Sequence, residues 1–297
     1  MEIQKIYNSN YPFIVVFFTV ILIGDTVFSQ QSQEDKFKVP EFIAHRGASY
    51  LAPENTMASI KLAWEMDVDA VEIDVWLTAD NEIVVFHDRT TRRIADRNRP
   101  VEEQTLEELR ELDYGSWKSS VWEGEAIPTL DEALATLPRG KRMFIDVKSD
   151  KRIIKPMLEA FDRSGNYPHQ MIVIAFSYEL AEETKRLRPH TPVFWLVGFR
   201  RDDQSNEWYP SMEEVVNRSR EANFDAVNVS WRGPAREPEN IKLVREAGLG
   251  YYIWTVNSIE GAQRALELGV DGITTDRPAW LKKQLLSRNG WRLLRGE

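Results

Sequence analysis

Short apolar segments alternate with amphipathic segments along most of the chain, and this alternation limits the possible folds more than any other feature. Eight segments are short, apolar and rich in β-branched residues, which is typical of buried strands. They are residues 41–47, 70–77, 143–148, 171–176, 193–198, 226–231, 250–256 and 271–275. Six segments repeat apolar residues at helical spacing, namely 55–66, 152–163, 179–188, 212–221, 237–247 and 258–268.

Strands that alternate with helices at this interval form βαβ units, and these units build a parallel sheet. Eight strands predict an α/β fold in which the sheet closes into a (β/α)8 barrel; an open doubly wound sheet is the alternative. The first strand lacks the G-x-G-x-x-G turn of dinucleotide-binding sheets, which favours the barrel. Gly248 and Gly269 follow two predicted helices, where C-terminal caps are expected.

One long connection interrupts this rhythm. Residues 82–87 predict a short additional strand that forms a hairpin with strand 70–77 through a turn at 79–81. The following segment, 88–128, is polar and rich in Arg, Glu, Asp and Trp, and connections of this length seldom occur without a function. Because the C-terminal ends of barrel strands carry the chemistry, we interpret 88–128 as an insertion that caps the site. The alternative is a solvent-exposed loop without a functional role.

Residues 1–29 have the organisation of a secretory signal peptide. Lys5 precedes an apolar run at 11–24, and small residues follow before the expected cleavage position. The run is shorter than the roughly 20 residues of a membrane span. We therefore expect cleavage and export to the periplasm or the cell exterior, with a retained N-terminal anchor as the alternative. Residues 30–40 are then a linker, and 41–290 form the barrel domain.

The charge balance restricts the possible partners. The 297 residues include 38 Lys+Arg and 47 Asp+Glu, a net charge of -9. An acidic chain is a poor partner for nucleic acid, because the phosphate backbone attracts basic surfaces. A small phosphate ester stays compatible, since local charge decides its binding. The chain has no cysteine, which excludes disulfides and thiolate sites. The sequence indicates no oligomeric state.

Three acidic residues lie on predicted strands near their C-terminal ends. Glu72 and Asp74 are two residues apart, so their side chains share one face of the strand, and Asp146 occupies the next barrel strand. Buried carboxylates are tolerated when they are paired or bind a metal. Three convergent carboxylates form an oxygen-only site, which suits Mg²⁺ or Ca²⁺ better than Zn²⁺. The alternative is a surface strand with solvated acids.

Two of the four histidines, His45 and His87, lie at predicted strand ends beside these acids. Imidazole titrates near neutral pH, so the two rings form a plausible acid/base pair. Arg46 offers a forked donor for phosphate oxygens, and Lys148 offers a point charge. Together with a metal, this set suits phosphoryl transfer better than acyl transfer, and the G-x-S-x-G nucleophile elbow is absent.

These residues occur in motifs that resemble the glycerophosphodiester phosphodiesterase family. In chain order the motifs are HRG at 45–47, PENT at 53–56, EIDV at 72–75, T-x-D at 78–80, VV-x-HD at 84–88, IPTL-x-E at 127–132, WTVN at 254–257 and DGITTD-x-P at 271–278. Each motif alone is weak, but their ordered combination is specific. The match extends from about residue 41 to residue 283.

The resemblance implies a (β/α)8 TIM barrel with a small insertion after the second strand unit. It also implies metal-dependent hydrolysis of glycerophosphodiesters to sn-glycerol 3-phosphate and an alcohol. By position it assigns metal binding to Glu72, Asp74 and Asp146, and the roles of general base and acid to His45 and His87. It assigns phosphate binding to Arg46 and Lys148. Trp254 would line the substrate pocket, and Glu54 would support the metal or His45. The alternative for Glu54 is a carboxylate that only favours a helix N-terminus.

Two positions depart from the family pattern. The third acid is Asp146, where the family often has Glu, and the shorter side chain changes the metal preference or leaves one coordination position to water. Ala175 precedes Phe176 where the family commonly has Ser, which removes a minor pocket contact.

Three other functions are compatible with parts of the sequence. A lysophospholipase D or sphingomyelinase D-like enzyme would act on lipids, and Tyr114, Trp117 and Trp122 would form an apolar rim for a chain unless they are packing residues. A non-catalytic exported binding protein should lack a histidine or a carboxylate of this set. A sugar-active barrel is suggested by ten Trp and paired carboxylates, but not by the two histidines and two cations. The alcohol headgroup is not specified.

Overall fold

The computed structural model describes residues 39–287. The predicted signal peptide, most of the predicted linker and the last residues of the predicted barrel domain lie outside this range. Within residues 39–287, no helix is long and apolar enough to cross a membrane.

Eleven strands occur in the described part of the chain. They are β1 (Glu41–Ala44), β2 (Ala70–Leu77), β3 (Ile83–Val85), β4 (Arg142–Val147), β5 (Met171–Ala175), β6 (Val193–Val197), β7 (Arg200–Arg201), β8 (Trp208–Tyr209), β9 (Ala226–Ser230), β10 (Gly250–Trp254) and β11 (Gly272–Thr275). Eight of them pair in parallel in the order β1, β2, β4, β5, β6, β9, β10, β11. Because β1 pairs with both β2 and β11, the sheet closes, which confirms the predicted barrel and excludes an open sheet.

Ten α-helices are described. They are α1 (Met57–Glu65), α2 (Arg92–Ala95), α3 (Leu106–Arg110), α4 (Leu130–Leu134), α5 (Ile154–Ser164), α6 (Tyr178–Leu187), α7 (Met212–Glu221), α8 (Pro238–Glu246), α9 (Ile259–Glu267) and α10 (Pro278–Leu286). All six predicted helices are present. The sequence analysis did not identify α2, α3, α4 and α10. The first three span only four or five residues, too few to show a helical period, and α10 is only weakly amphipathic.

Side chains alternate between the two faces of each barrel strand, which gives one apolar core between the sheet and the helices and a second in the barrel lumen. Odd-numbered residues of β2, such as Val71 and Ile73, pack outward against the helices, whereas Ala70, Glu72 and Asp74 face the lumen. Apolar side chains fill the N-terminal half of the lumen. The ring centroid of Phe144 lies 5.7 Å from that of Phe194 and 5.7 Å from that of Tyr252. This plug separates the C-terminal end of the lumen from its N-terminal end.

The insertion has a small core of its own. The predicted hairpin is confirmed, because β3 pairs antiparallel with β2. Side chains from this hairpin and from 88–128 pack together; they are Trp76, Val84, Phe86, Ile94, Val101, Leu109, Tyr114 and Ile127. Tyr114 is buried with its ring edge-on to Phe86 at 5.7 Å, so it is a packing residue and not part of a rim. Trp117 is 39% exposed.

The connection from β1 to α1 differs from the predicted bounds for a physical reason. Arg46, Gly47 and Asn55 all adopt positive φ, at 57°, 77° and 58°, which neither a strand nor a right-handed helix allows. Strand β1 therefore ends at Ala44, and α1 starts at Met57, after the N-cap Thr56. These left-handed residues fold the segment back over the end of β2.

Replacing Gly47 with alanine should be much more costly than replacing a glycine of similar backbone conformation in open space. A Cβ on Gly47 would lie 2.5 Å from Ser59 Oγ and 2.7 Å from the Ser59 carbonyl carbon, whereas Gly248, with φ of 74°, has nothing within 4 Å. We expect Gly248→Ala to lower the free energy of unfolding by about 1–2 kcal/mol through backbone strain alone. Gly47→Ala should lower it by roughly 3 kcal/mol or more, because overlap adds to that strain. Urea unfolding measures both, and equal losses would contradict the tight contact.

Candidate active site

A cavity of about 130 Å³ lies at the C-terminal ends of the barrel strands. Side chains from all eight barrel strands, or from the loops that follow them, line it: His45, Arg46, Glu72, Asp74, His87, Asp146, Lys148, Ile174, Phe176, Leu196, Asn228, Trp254 and Thr274. The structure thus brings together eight of the nine residues singled out from the sequence. The ninth, Glu54, does not line the cavity.

Three buried carboxylates form the deepest polar part of the cavity. Glu72, Asp74 and Asp146 are 4%, 1% and 6% exposed. One oxygen from each lies within 4.8 Å of the others. The convergence follows from strand register, since Asp74 and Asp146 are paired positions on the neighbouring parallel strands β2 and β4.

The carboxylates differ in their electrostatic environment. Burial, followed by repulsion from Asp74 and Asp146, raises the pKa of Glu72 well above its ordinary value. Burial also raises the pKa of Asp146, to about 7. Burial acts on Asp74 in the same direction, but the nearby Lys148 and Arg46 outweigh it and lower the pKa of Asp74. The protein therefore holds one acid firmly ionised and two that resist ionisation.

Two cations contact the carboxylates. Lys148 Nζ lies 2.5 Å from Asp146 Oδ2 and 3.1 Å from Asp74 Oδ1. The backbone N–H of Arg46 donates to Glu72 Oε2 at 2.8 Å, and its Nε lies 3.4 Å from Asp74 Oδ2. The left-handed conformation of Arg46 makes this double contact possible, because it turns the backbone N–H and the guanidinium toward the same cluster.

The cluster fits a divalent cation on two grounds. Asp146 Oδ1 is buried, and no described residue donates a hydrogen bond to it, which leaves a strong acceptor without a partner. A bound cation would also favour the ionised forms of all three acids, whose three negative charges exceed the two positive charges of Arg46 and Lys148, and the ion would offset that excess. An oxygen-only donor set of this kind is the type that Mg²⁺ and Ca²⁺ prefer. Glu72, Asp74 and Asp146 are the residues that could hold the ion.

Each histidine of the cavity is oriented by a carboxylate. His45 Nδ1 lies 2.6 Å from Asp276 Oδ1. Asp276 is itself fixed by Asn257, whose Nδ2 donates at 2.5 Å and whose Oδ1 accepts the Asp276 N–H at 2.9 Å. An ionised carboxylate only accepts hydrogen bonds, so Nδ1 carries the proton, and Nε2 is the nitrogen available for proton transfer.

His87 has the same arrangement. Its Nδ1 lies 2.6 Å from Asp88 Oδ1, which leaves Nε2 available. Burial lowers the pKa of His87 more than the nearby Asp74 raises it, which favours the neutral form of the ring. The site thus offers two imidazoles with equivalent orientation beside one carboxylate cluster.

Arg93 of helix α2 joins the insertion to the site. Its Nη2 donates to Glu54 Oε1 at 2.7 Å, and its Nε donates to Asp88 Oδ2 at 2.6 Å. Glu54 also accepts from Arg46 Nη1 at 2.8 Å. Glu54 thus supports the cluster only through Arg46, and it precedes α1 instead of lying within it. No described residue of 88–128 lines the cavity itself, and the role of the insertion as a cap stays a prediction.

Several residues of this network had no predicted role. Asp276 and Asn257 lie in the quoted motifs, but nothing in a single sequence shows which histidine a distant acid will orient. Asp276 follows directly after β11, so the rule that picked out the other strand-end acids could have identified it. No sequence pattern indicated a role for Arg93, because only the fold of the insertion brings it close to its partners.

Comparison with known proteins places this geometry in a family. The family model for the glycerophosphoryl diester phosphodiesterase family matches residues 45–280. A Bacillus subtilis protein, YhdW, is 33% identical over 243 residues, which are 81% of this chain and 96% of that protein. A glycerophosphodiester phosphodiesterase of Caldanaerobacter subterraneus is 30% identical over 250 residues, 80% of this chain and 95% of that protein. The resemblance found in the motifs is therefore confirmed.

Solved structures share the fold. A phosphodiesterase of Oleispira antarctica, solved in complex with the product sn-glycerol-3-phosphate, superposes with a TM-score of 0.74 and 26% sequence identity. The match covers 84% of this chain and 97% of that chain.

Replacing Glu72 with glutamine should stabilise the metal-free protein. The raised pKa of Glu72 means that its ionised form opposes folding, whereas glutamine is neutral and its Oε1 still accepts the Arg46 N–H. We expect a melting temperature higher by roughly 2–4 °C near pH 7, equivalent to about 1 kcal/mol. The gain should vanish below about pH 4.5, where Glu72 is protonated even when unfolded, and grow as the pH rises.

Thermal unfolding in a chelator at several pH values measures this effect. Glu123→Gln, at an exposed position outside the cavity, is the matched control and should shift nothing. A destabilised Glu72→Gln protein, or a gain that does not depend on pH, would contradict the electrostatic account of the cluster.

Proposed function

The chain belongs to the glycerophosphoryl diester phosphodiesterase family, and we propose that it cleaves glycerophosphodiesters by metal-dependent histidine acid/base catalysis. The products would be sn-glycerol 3-phosphate and an alcohol. One observation carries the proposal: two carboxylate-oriented histidines share a cavity with three buried acids and two cations. The product bound in the Oleispira antarctica phosphodiesterase supports the same reaction.

Each group of the cavity has a place in this reaction. A divalent cation bound by the three carboxylates would neutralise negative charge on the phosphate as it develops. Arg46 and Lys148 would bind phosphate oxygens, since both head groups lie at the edge of the same cluster. Trp254 would pack against the carbon skeleton of the substrate.

The two histidines would move protons in sequence. One Nε2 takes the proton of the substrate's 2-hydroxyl as its oxygen bonds to phosphorus, which closes a cyclic phosphate. The other histidine starts as the imidazolium and gives its Nε2 proton to the departing oxygen as the phosphorus–alcohol bond breaks. Water then opens the ring with the roles exchanged, so both side chains return to their initial protonation states.

The proposal is tested by release of sn-glycerol 3-phosphate from glycerophosphocholine with Mg²⁺, with Ca²⁺ and with a chelator. We expect release with a divalent cation and none with the chelator. Asp74→Asn should abolish release, whereas Asp67→Asn, at an exposed acid outside the cavity, should leave it unchanged. Release that is insensitive to the chelator would refute metal dependence. No release under any condition would favour a lipid substrate or a binding protein.

Replacing either histidine should slow turnover. We expect His45→Asn and His87→Asn each to lower kcat by about 10²–10⁴, because each removes one proton transfer. A p-nitrophenyl glycerophosphodiester identifies their roles, since its leaving group departs without a proton. Only the variant that lacks the general acid should recover, and it should do so in the release of p-nitrophenolate, the step that needs no acid. Near-normal turnover of both variants on glycerophosphocholine, or equal losses on both substrates, would contradict paired acid/base catalysis.

A further inference from the structure

The cavity has a second half that the proposed mechanism leaves unused. The acids, cations and histidines lie toward β1, β2 and β4, whereas the opposite wall, from β5, β6 and β10, is apolar. Ile174, Leu196 and Trp254 belong to that wall. Asn228 and Thr274 are the only polar side chains among the described residues that line this half.

Asn228 carries a buried acceptor without a partner. The residue is 1% exposed, and no described group donates a hydrogen bond to its Oδ1. Its neighbour on the same face, Ser230, accepts the backbone N–H of Phe199 at 3.1 Å and therefore has a structural role. An unsatisfied buried acceptor opposes folding, so Asn228 is best explained by a ligand that brings a donor.

The position of Asn228 is fixed by strand pairing. It lies opposite Leu196 of β6 and Tyr252 of β10 in the parallel register. Its backbone carbonyl accepts the indole N–H of Trp254 at 3.2 Å, which holds that ring beside the amide. A ligand in this half would therefore meet an aromatic face, the Thr274 hydroxyl and the fixed amide oxygen of Asn228.

These features select a neutral donor. A carbonyl oxygen repels a phosphate anion, and the phosphate already has Arg46 and Lys148 in the charged half. In a glycerophosphodiester the 2-hydroxyl must stay next to phosphorus in order to attack it. The terminal hydroxyl, at C1, is the next donor along the glycerol, and it is common to all such substrates whatever their alcohol.

We propose that Asn228 Oδ1 accepts a hydrogen bond from the C1 hydroxyl of the substrate's glycerol unit, with Trp254 packed against its carbons. This inference rests on the proposed function and specifies its substrate class. An acyl chain on C1 replaces that hydroxyl with an ester, which has no donor. Asn228 therefore selects deacylated glycerophosphodiesters over 1-acyl lysophospholipids.

The first test compares substrates on the wild-type protein. Glycerophosphocholine is set against its 1-deoxy analogue, which keeps the 2-hydroxyl, and against 1-acyl lysophosphatidylcholine. We expect kcat/KM to fall about 10- to 100-fold for the analogue, because a buried acceptor is left without its donor. The lysolipid should be at least as poor. Equal rates on either compound would overturn the assignment, and this comparison needs no variant to fold.

The second test uses Asn228→Leu, which keeps the shape but removes the acceptor. It should lose about 10- to 100-fold on glycerophosphocholine and little on the 1-deoxy analogue. Ser219→Ala is the matched control, because Ser219 Oγ is also buried without a partner but lies in α7 outside the cavity. Equal losses on both substrates would overturn the proposal. The proposal would also be overturned if Asn228→Leu changed the preference among alcohol headgroups but still discriminated against the 1-deoxy analogue. That result would place Asn228 at the leaving alcohol.

A binding measurement separates this inference from the proposed function. Calorimetry with sn-glycerol 3-phosphate should show roughly tenfold weaker binding to Asn228→Leu, with inorganic phosphate binding unchanged. If the wild type cleaves no diester, the proposed function fails, but this difference in binding still supports the role of Asn228. Unchanged affinity for sn-glycerol 3-phosphate would overturn that role even in an active enzyme.

Discussion

Burial of three carboxylates at the ends of two neighbouring strands is the constraint on which the rest of this site depends. Glu72, Asp74 and Asp146 are held together by the register of β2 and β4, and their mutual repulsion is only partly offset by Arg46 and Lys148. A protein that keeps such a cluster at the mouth of an otherwise apolar barrel sacrifices stability for function. The site is therefore organised around charge that the fold alone does not neutralise.

The lumen packing, the β1–α1 connection and the insertion all help to position the side chains of the site. Aromatic rings close the lower half of the lumen, and left-handed backbone at 46–47 turns Arg46 onto the cluster. Two acids outside the cavity, Asp88 and Asp276, orient the two imidazoles. The insertion contributes by packing on its hairpin and by placing Arg93 between Glu54 and Asp88, so it stabilises the site from the side.

Much of this was predictable because strand periodicity couples local sequence to position in space. Alternation in β2 put Glu72 and Asp74 on one face, and the end of β1 put His45 at the same rim. Long-range partners were not predictable: the acid that orients His45 lies 231 positions away, and no pattern in one sequence links the two. The same limit hid Asn228, whose importance comes from a partner that the folded chain does not provide. It also hid how the insertion packs, because that depends on Trp76 and Phe86 of the hairpin.

The central claim is that the carboxylate cluster exists to hold one divalent cation. Isothermal titration of the metal-free protein with MgCl₂ and with CaCl₂ tests it directly, because binding is measured without reference to any substrate. The account predicts one ion per chain, competition by a chelator, and loss of binding in Asp146→Asn, whose buried oxygen has no partner within the described chain. Absence of binding by both ions, or binding that survives in Asp146→Asn, would contradict it.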